Sequence, residues 1–126
     1  MTMDPSINVL GGPLRSCSHE PKTGWFRDGC CNTNDQDKGS HTVCAYVTVE
    51  FLHFLRKRGN DLMTPAPQFG FAGLKEGDQW CVCAASWLDA FKNGYACPVF
   101  LESTHRRALD VVPLEALLEC AVMESV

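Results

Sequence analysis

The segment from Trp25 to Cys44, WFRDGCCNTNDQDKGSHTVC, constrains the fold of this chain more than any other. Three cysteines, one histidine, three aspartates and one arginine fall within its twenty residues, with almost no aliphatic side chains between them. Core burial alone cannot offset the conformational entropy that such a segment loses when it becomes ordered. Side-chain hydrogen bonds, a metal or a ligand must help to hold it, so we expect a functional site here.

The length and composition are those of one globular domain. The chain has 126 residues, of which 45% are hydrophobic and 21% charged, and both fractions are ordinary. We therefore expect residues 1–126 to form a single domain that folds without the help of disulfides or a metal. The net charge of −4 and the single basic triplet at 56–58 disfavour nucleic-acid binding.

The N-terminal sequence and the apolar runs bear on the cellular compartment. The first residues, MTMDPSINVLGGPL, have neither a basic start nor a long apolar run, so no secretory signal is apparent. No apolar stretch of about 18 residues occurs, so no membrane association is expected. We therefore predict a cytoplasmic protein whose eight cysteines are thiols, ligands or reactive groups rather than a disulfide framework. The oligomeric state is left open.

Turn-forming and β-branched residues divide the chain into loops and strands. Glycine, proline, asparagine, aspartate and serine are frequent in residues 5–40, which are predicted to be loop with a short strand at 7–10. Further strands are predicted where β-branched and aromatic residues concentrate, at 41–47, 80–83 and 98–102.

Capping residues and apolar periodicity predict three helices. The first follows an N-cap at Thr48 and ends at Gly59, and the second follows an N-cap at Ser86 and ends at Gly94. The third opens at Pro113 and extends to residue 123. The element order predicts an α+β fold, a small mixed sheet with about three helices packed on it and a long irregular N-terminal loop region.

Several short motifs resemble those of a known family. They are NVLGGPL at 8–14, CS at 17–18, TG at 23–24, RDGCC at 27–31, HTVCA at 41–45, GNDL at 59–62, AGLKEGDQWC at 72–81 and TH at 104–105. Together they make the chain similar to small proteins catalogued as domain of unknown function 2237. The resemblance implies a complete single-domain member, with Ala72 where proline is usual, and it implies no activity. The cysteines that match the family's pattern are Cys17, Cys30, Cys31, Cys44, Cys81 and Cys83, whereas Cys97 and Cys120 do not.

A metal site is one interpretation of the cysteines. Local pairs occur as CxH at 17–19, HxxC at 41–44 and CxC at 81–83, but no CxxC array is present. Zinc requires four ligands, with neighbouring sulfurs roughly 3.7 Å apart. Residues i and i+2 of a regular strand lie about 6.6 Å apart, and an odd offset points side chains to opposite faces. These local pairs therefore do not favour chelation, and the presence and identity of a metal stay open.

A thiol nucleophile is a second interpretation. Cys30 follows a glycine in a polar loop beside Arg27, and a nearby cation lowers the pKa of a thiol. His41 and His105 could serve as its base, so Cys30, His41 and His105 are the predicted catalytic residues. The alternatives are that Cys30 is buried as a small apolar residue, or that it forms a redox-sensitive vicinal disulfide with Cys31.

A pocket for a small polar molecule is the third and preferred interpretation. Tryptophans at 25, 80 and 87 could form an apolar floor, although tryptophans often belong to the core. The predicted ligand-binding residues are Arg27, Asp28, Asn60, Asp61 and Thr104, with Asp37 and the two histidines nearby. Asp28 and Asp61 are equally typical turn formers. We expect a single concavity to collect Arg27, Asp28, Cys30, His41, Asp61 and His105.

These observations predict a binding protein without naming its ligand. The sequence contains no GxGxxG, GxxxxGK, GxSxG or HExxH motif, so no cofactor is identified and enzymatic activity stays undecided. The preferred function is the binding of a small polar ligand at a Cys/His/Asp/Arg site. The alternatives are a Cys/His metal-binding protein, a thiol-based enzyme, or a non-catalytic interaction module with structural cysteines.

Overall fold

A computed structural model describes residues 6–19 and 22–122. Within these ranges the chain forms strands β1 (Val43–Tyr46) and β2 (Gln79–Val82) and helices α1 (Val49–Lys57), α2 (Ala84–Lys92) and α3 (Leu114–Glu119). Short 3₁₀ helices cover Pro67–Phe69, Leu101–Ser103 and Arg106–Asp110. The α+β prediction is confirmed, although the sheet is a two-stranded antiparallel one. None of the helices in the described ranges has the length and apolar character that a membrane crossing demands.

Helix α1 begins as the sequence predicts. The Thr48 hydroxyl accepts a hydrogen bond from the backbone N–H of Phe51, which satisfies one of the N–H groups left unpaired in the first helical turn. Phe51, Leu52 and Leu55 are almost fully buried and pack with Trp87 of α2 in the main core. Burial of this apolar face is what attaches the two helices to the sheet.

The two faces of the sheet carry different chemistry. In the register of β1 and β2, Val43 lies opposite Val82 and Cys44 lies opposite Cys81. Because successive side chains of a strand alternate between faces, the two valines enter the main core while the two cysteines leave the other face. The cysteine face is covered by the N-terminal loop, which contributes Cys17 and Cys31.

Tertiary pairing changes two predicted elements near the C-terminus. The strand predicted at 98–102 is limited to bridges at Val99, and the chain then enters the 3₁₀ helix Leu101–Ser103. Val99 donates to the carbonyl of Cys120 and accepts from the N–H of Val122. Helix α3 therefore stops at Glu119 instead of continuing to 123, because the following residues pair with Val99. Residue 123 itself lies outside the described ranges.

Helix α2 starts earlier than its capping pattern indicates. Cys83, not Ser86, occupies the N-cap position, and Ser86 lies inside the helix. The N–H of Ala84 donates to the carbonyl of Ser40, so a contact with the 33–41 loop fixes the first turn. The short strand predicted at 7–10 is likewise limited to isolated bridges at Ile7 and Asn8.

Candidate functional site

A pocket of about 420 Å³ opens beside β2. Its polar lining comes from the turn at 24–27, the 33–41 loop, the loop after α1 and the N-terminal end of α2, and comprises Arg27, His41, Asn60, Asp61 and Cys83. Aromatic side chains of Trp25, Phe71 and Trp80 form much of the remaining wall. The volume falls within the range of roughly 300–1,000 Å³ that is typical of small-molecule sites.

His41 is held in place by a buried carboxylate. The Asp37 side chain is 0% exposed, and its Oδ1 lies 2.6 Å from Nδ1 of His41, whose side chain is 39% exposed. Asp37 Oδ2 accepts two more hydrogen bonds, from the His41 backbone N–H and from the Thr33 hydroxyl. Trp25 stacks on the imidazole at 6.0 Å between ring centroids. These hydrogen bonds and the stacking contact order the 33–41 loop, which has no apolar core of its own.

The Asp37 contact also sets the proton arrangement of His41. An ionised carboxylate only accepts hydrogen bonds, so Nδ1 of His41 must donate, and in the neutral ring Nε2 is left as an acceptor. Burial by itself would raise the pKa of Asp37, but the hydrogen bonds from His41 and Thr33 outweigh it and lower that pKa. The carboxylate therefore stays charged and keeps His41 in this orientation.

The free thiol of Cys83 lines the same pocket as the imidazole of His41. Cys83 is half-buried, occupies the N-cap of α2 and lines the pocket with His41. A Cβ atom at Gly39 would lie 3.0 Å from Cε1 of His41 and 3.6 Å from Sγ of Cys83. Gly39 thus lies next to both side chains, and a side chain at this position would crowd the imidazole.

Arg27 supplies the positive charge of the pocket. Its guanidinium carbon lies 5.2 Å from the centroid of the Trp80 ring, and Nη1 donates to the carbonyl of Gly24. Gly24 has φ +102°, and a Cβ there would collide with the carbonyl oxygen of Cys30. Only glycine lets the 24–27 turn pack this closely, so Gly24 places Arg27 over Trp80.

Asn60 and Asp61 line the pocket from the loop after α1. The carboxylate of Asp61 accepts hydrogen bonds from the backbone N–H groups of Met63 and Thr64 and from the Thr64 hydroxyl, so it forms a turn. The Thr64 hydroxyl is the largest contribution among those that lower the pKa of Asp61. Asp61 therefore contributes negative charge at the pocket rim while its oxygens serve the turn.

Two of the predicted site residues in the 25–31 turn lie outside the pocket lining. Asp28 is exposed, and its Oδ1 accepts the N–H of Cys30. Burial and the nearby Asp28 carboxylate raise the pKa of the Cys30 thiol. The expectation that Arg27 lowers this pKa is therefore wrong, because burial of the thiol and then the Asp28 carboxylate raise it, while the guanidinium of Arg27 lies over Trp80.

The predicted residues of the 104–105 corner are also outside the pocket lining. Thr104 is fully buried, and its hydroxyl accepts the N–H of Cys44 and donates to the carbonyl of Phe100. His105 caps the 3₁₀ helix Arg106–Asp110 by accepting the N–H of Arg107 at Nδ1. Burial, followed by the arginines at 107 and 106, lowers the pKa of His105. The expected single concavity thus collects Arg27, His41 and Asp61, but not Asp28, Cys30 or His105.

Four of the eight cysteines form disulfides, which corrects the expectation of reduced thiols. Cys17 is bonded to Cys44 and Cys31 to Cys81, while the free cysteines are Cys30, Cys83, Cys97 and Cys120. The expectation failed because each pair joins the N-terminal loop to the sheet across a long sequence separation, which no local spacing reveals. We call Cys17, Cys31, Cys44 and Cys81 the four-sulfur cluster.

Cys83 is a pocket residue with a reactive side chain that is not among the predicted site residues. Its signal was its position as the last residue of the strand predicted at 80–83, shortly before the predicted N-cap at Ser86, because side chains at the end of a strand and near a helix N-terminus often belong to sites. The CxC spacing of Cys81 and Cys83 was interpreted only in terms of metal chelation. Asp37 was recognised as one of the polar residues, but its buried contact with His41 could not be read from the sequence.

The comparisons with known proteins identify the family. A search of curated proteins gives no match to this chain. The family model described as "Uncharacterized protein conserved in bacteria (DUF2237)" matches residues 7–121, a span that includes all eight cysteines and the whole pocket lining. The chain therefore belongs to the DUF2237 family.

Proposed function

We propose that the pocket binds a small planar organic anion, such as a carboxylate attached to an aromatic or conjugated group. The observation that carries this proposal is the guanidinium of Arg27 stacked over Trp80 in a pocket with aromatic walls. A planar ligand can stack on these walls, and a guanidinium recognises carboxylates through paired N–H donors.

The other polar groups fit such a ligand. The side chain of His41 is oriented by Asp37 and borders the pocket, so its Nε2 can take part in a hydrogen bond. Asn60 adds an amide that can donate as well as accept. The negative charge of Asp61 lies at the rim, where it disfavours ligands with several anionic groups.

Ligand-observed NMR with benzoate and other aromatic carboxylates tests this proposal. Saturation transfer from the wild-type protein to a probe is expected, together with broadening of the Trp80 indole signal. Arg27→Gln should weaken binding about 10-fold or more, because a hydrogen bond to a charged group contributes about 1.5–3 kcal/mol. Arg15→Gln is the matched control, since Arg15 is exposed and pairs with Glu102 outside the pocket lining.

The ligand proposal fails if no aromatic carboxylate shows saturation transfer with the wild-type protein. It also fails if Arg15→Gln weakens binding as much as Arg27→Gln does, because general electrostatic attraction would then explain the effect.

A thiol-based reaction at the same pocket is a second candidate, and we propose Cys83 rather than Cys30 as its nucleophile. Cys83 lines the same pocket as His41, whose imidazole is oriented by a carboxylate, and this arrangement favours it. In such a reaction Sγ would displace a leaving group from an electrophilic carbon of the ligand, as it displaces iodide from iodoacetamide, while Nε2 of His41 takes the thiol proton. Iodoacetamide should then alkylate Cys83 at least about 10-fold more slowly in His41→Gln than in the wild type.

His53→Gln is the control for that experiment, because His53 is exposed on α1. Equal alkylation rates in the wild type and in His41→Gln would exclude assistance by the imidazole, while leaving the binding proposal in place.

A cytoplasmic location belongs to this proposal as well. All eight cysteines lie in the described ranges and four of them are free thiols, which a reducing compartment tolerates. The two disulfides would then be reversible, since the cytosol keeps most protein thiols reduced.

A further inference from the structure

The four-sulfur cluster gathers cysteines from four separate parts of the chain. All four cysteines are buried, and the sulfur atoms of Cys17, Cys31 and Cys81 lie within 4.8 Å of one another. Cys44 pairs with Cys17 and lies opposite Cys81 in the sheet register, so it leaves the same face of the sheet. We propose that, when both disulfides are reduced, this cluster binds one zinc ion through its four thiolates.

The geometry suits a tetrahedral site. Zinc–sulfur bonds of about 2.3 Å place neighbouring sulfurs roughly 3.7 Å apart, and three of the sulfurs are already within 4.8 Å of one another. The fourth sulfur, that of Cys44, is bonded to that of Cys17 in the disulfide form, so reduction and side-chain rotation must bring it to the fourth ligand position. The backbone at the two strand positions is fixed, because the N–H of Cys44 donates to the Thr104 hydroxyl and that of Cys81 to the Thr23 hydroxyl.

A bound metal would hold the N-terminal loop to the sheet in place of the disulfides. Each disulfide joins one cysteine of the polar N-terminal loop, Cys17 or Cys31, to one strand of the sheet. Among the described residues, Phe100 is the one partly buried hydrophobic residue that packs against the cluster, so its apolar support is small. Reduction alone would therefore leave the loop weakly held. A zinc tetrathiolate restores all four attachments at one point, and it is stable in a reducing compartment.

The chemistry balances with a dithiol as reductant. Each protein disulfide takes up two electrons and two protons from one dithiol, which closes to its own disulfide. Two dithiols thus convert the cluster to four protein thiols. Zinc binding then releases four protons to solvent and gives a tetrathiolate of net charge −2. Oxidation by a disulfide reverses the sequence and expels the ion.

Cobalt titration of the full-length protein is the direct test. One sample is reduced and freed of reductant without oxygen, and the other keeps both disulfides. The reduced protein should bind one cobalt(II) ion per chain with the intense visible bands of tetrahedral thiolate coordination, and zinc should displace it. The oxidised protein should show no such bands. Absence of the bands in the reduced wild type overturns the proposal.

Neighbouring cysteines offer matched variants. Cys31→Ser should weaken cobalt binding by more than about 100-fold, the upper end of the loss seen when only a supporting residue is removed. Cys30→Ser should bind like the wild type, because Cys30 is outside the cluster. Cys31→His guards against a folding defect, because it supplies a nitrogen ligand but no disulfide and should restore one tetrahedral ion with shifted bands.

The variants also show which thiols hold the ion. An unchanged spectrum in Cys31→Ser, or equal losses in Cys30→Ser and Cys31→Ser, would refute the assignment. Loss of the bands in Cys83→Ser would place the ion in the pocket and would also refute it. Failure of cobalt binding leaves the carboxylate proposal intact, since that proposal is measured with Arg27 variants.

Discussion

Asp37→Asn tests the organisation of the pocket most directly, because it removes one charge while keeping the shape of a fully buried side chain. The carboxylate accepts three hydrogen bonds, two at Oδ2 and one at Oδ1. An asparagine can place its oxygen where Oδ2 lies and keep the bonds from Thr33 and the His41 N–H. Its NH₂ group then faces Nδ1 of His41, which must become an acceptor.

The expected loss of stability follows from these contacts. Hydrogen bonds to a charged group contribute about 1.5–3 kcal/mol and neutral ones about 0.5–1.5 kcal/mol, so each retained bond weakens by about 1 kcal/mol. We expect Asp37→Asn to cost about 2 kcal/mol of unfolding free energy, which for a domain of this size lowers Tm by roughly 6–10 °C. The proton of neutral His41 should move to Nε2.

The pH dependence of stability provides a second readout. The pKa of Asp37 is lowered in the folded protein, so its contribution is present above the unfolded value of about 3.9 and is lost as the pH falls through the folded value. The wild type should therefore lose part of its stability below about pH 4, and Asp37→Asn should lose less over the same interval.

Thermal unfolding from pH 3 to 7 and the nitrogen NMR shifts of His41 measure these effects. Asp35→Asn is the control, because Asp35 lies in the same loop, its side chain is 94% exposed, and it pairs at the surface with Arg107. A Tm for Asp37→Asn within about 2 °C of that for Asp35→Asn, or a proton that stays on Nδ1, would refute the reasoning.

Three further substitutions test the surrounding framework by chemical denaturation. Gly24→Ala should cost at least about 1 kcal/mol more than Gly94→Ala, since both positions have positive φ but only a Cβ at Gly24 meets the Cys30 carbonyl; equal losses would contradict this. Thr104→Val should cost about 1–3 kcal/mol by leaving the buried N–H of Cys44 without its partner, and an unchanged unfolding midpoint would argue against that role. Cys97→Ser should cost about 1–3 kcal/mol of unfolding free energy, because it buries a hydroxyl. Cobalt binding should be unchanged. Loss of the cobalt spectrum in a folded variant would show that Cys97 contributes to the metal site.

The sequence predicts those elements that are determined by residues within one short segment. The Thr48 N-cap and the apolar stripe of α1 lie within one short segment, and so do the apolar residues of β1 and β2, so the sequence alone indicates these elements. The end of α3 depends on hydrogen bonds between Val99 and the residues after α3, and these bonds are also part of what remains of the strand predicted at 98–102. That pairing is a tertiary contact, and no pattern within either segment predicts it.

The same distinction explains which site residues were found. Arg27, His41, Asn60 and Asp61 were selected as polar residues near predicted element ends, and they line one pocket. Thr104 and His105 carried the same signal, but their polar atoms are used by the backbone of neighbouring segments. A polar residue at an element end can satisfy a backbone group as well as face a ligand, and only the fold decides between the two.

The pocket and the four-sulfur cluster meet at β2, which links the two proposals physically. Cys81 belongs to the cluster and also lines the pocket, and Cys83 lies two residues further along, at the start of α2. When the disulfide of Cys81 is replaced by a zinc thiolate, the pocket wall at Cys81 is no longer neutral. It then carries part of the net charge of −2 of the zinc tetrathiolate. Coulomb repulsion would then oppose an anionic ligand near Arg27, so reduction with zinc should weaken carboxylate binding relative to the disulfide form. Linkage also requires that a bound carboxylate weaken zinc binding to the reduced protein by the same factor by which zinc weakens carboxylate binding to it. Equal carboxylate affinities with and without zinc would mean that the two sites act independently.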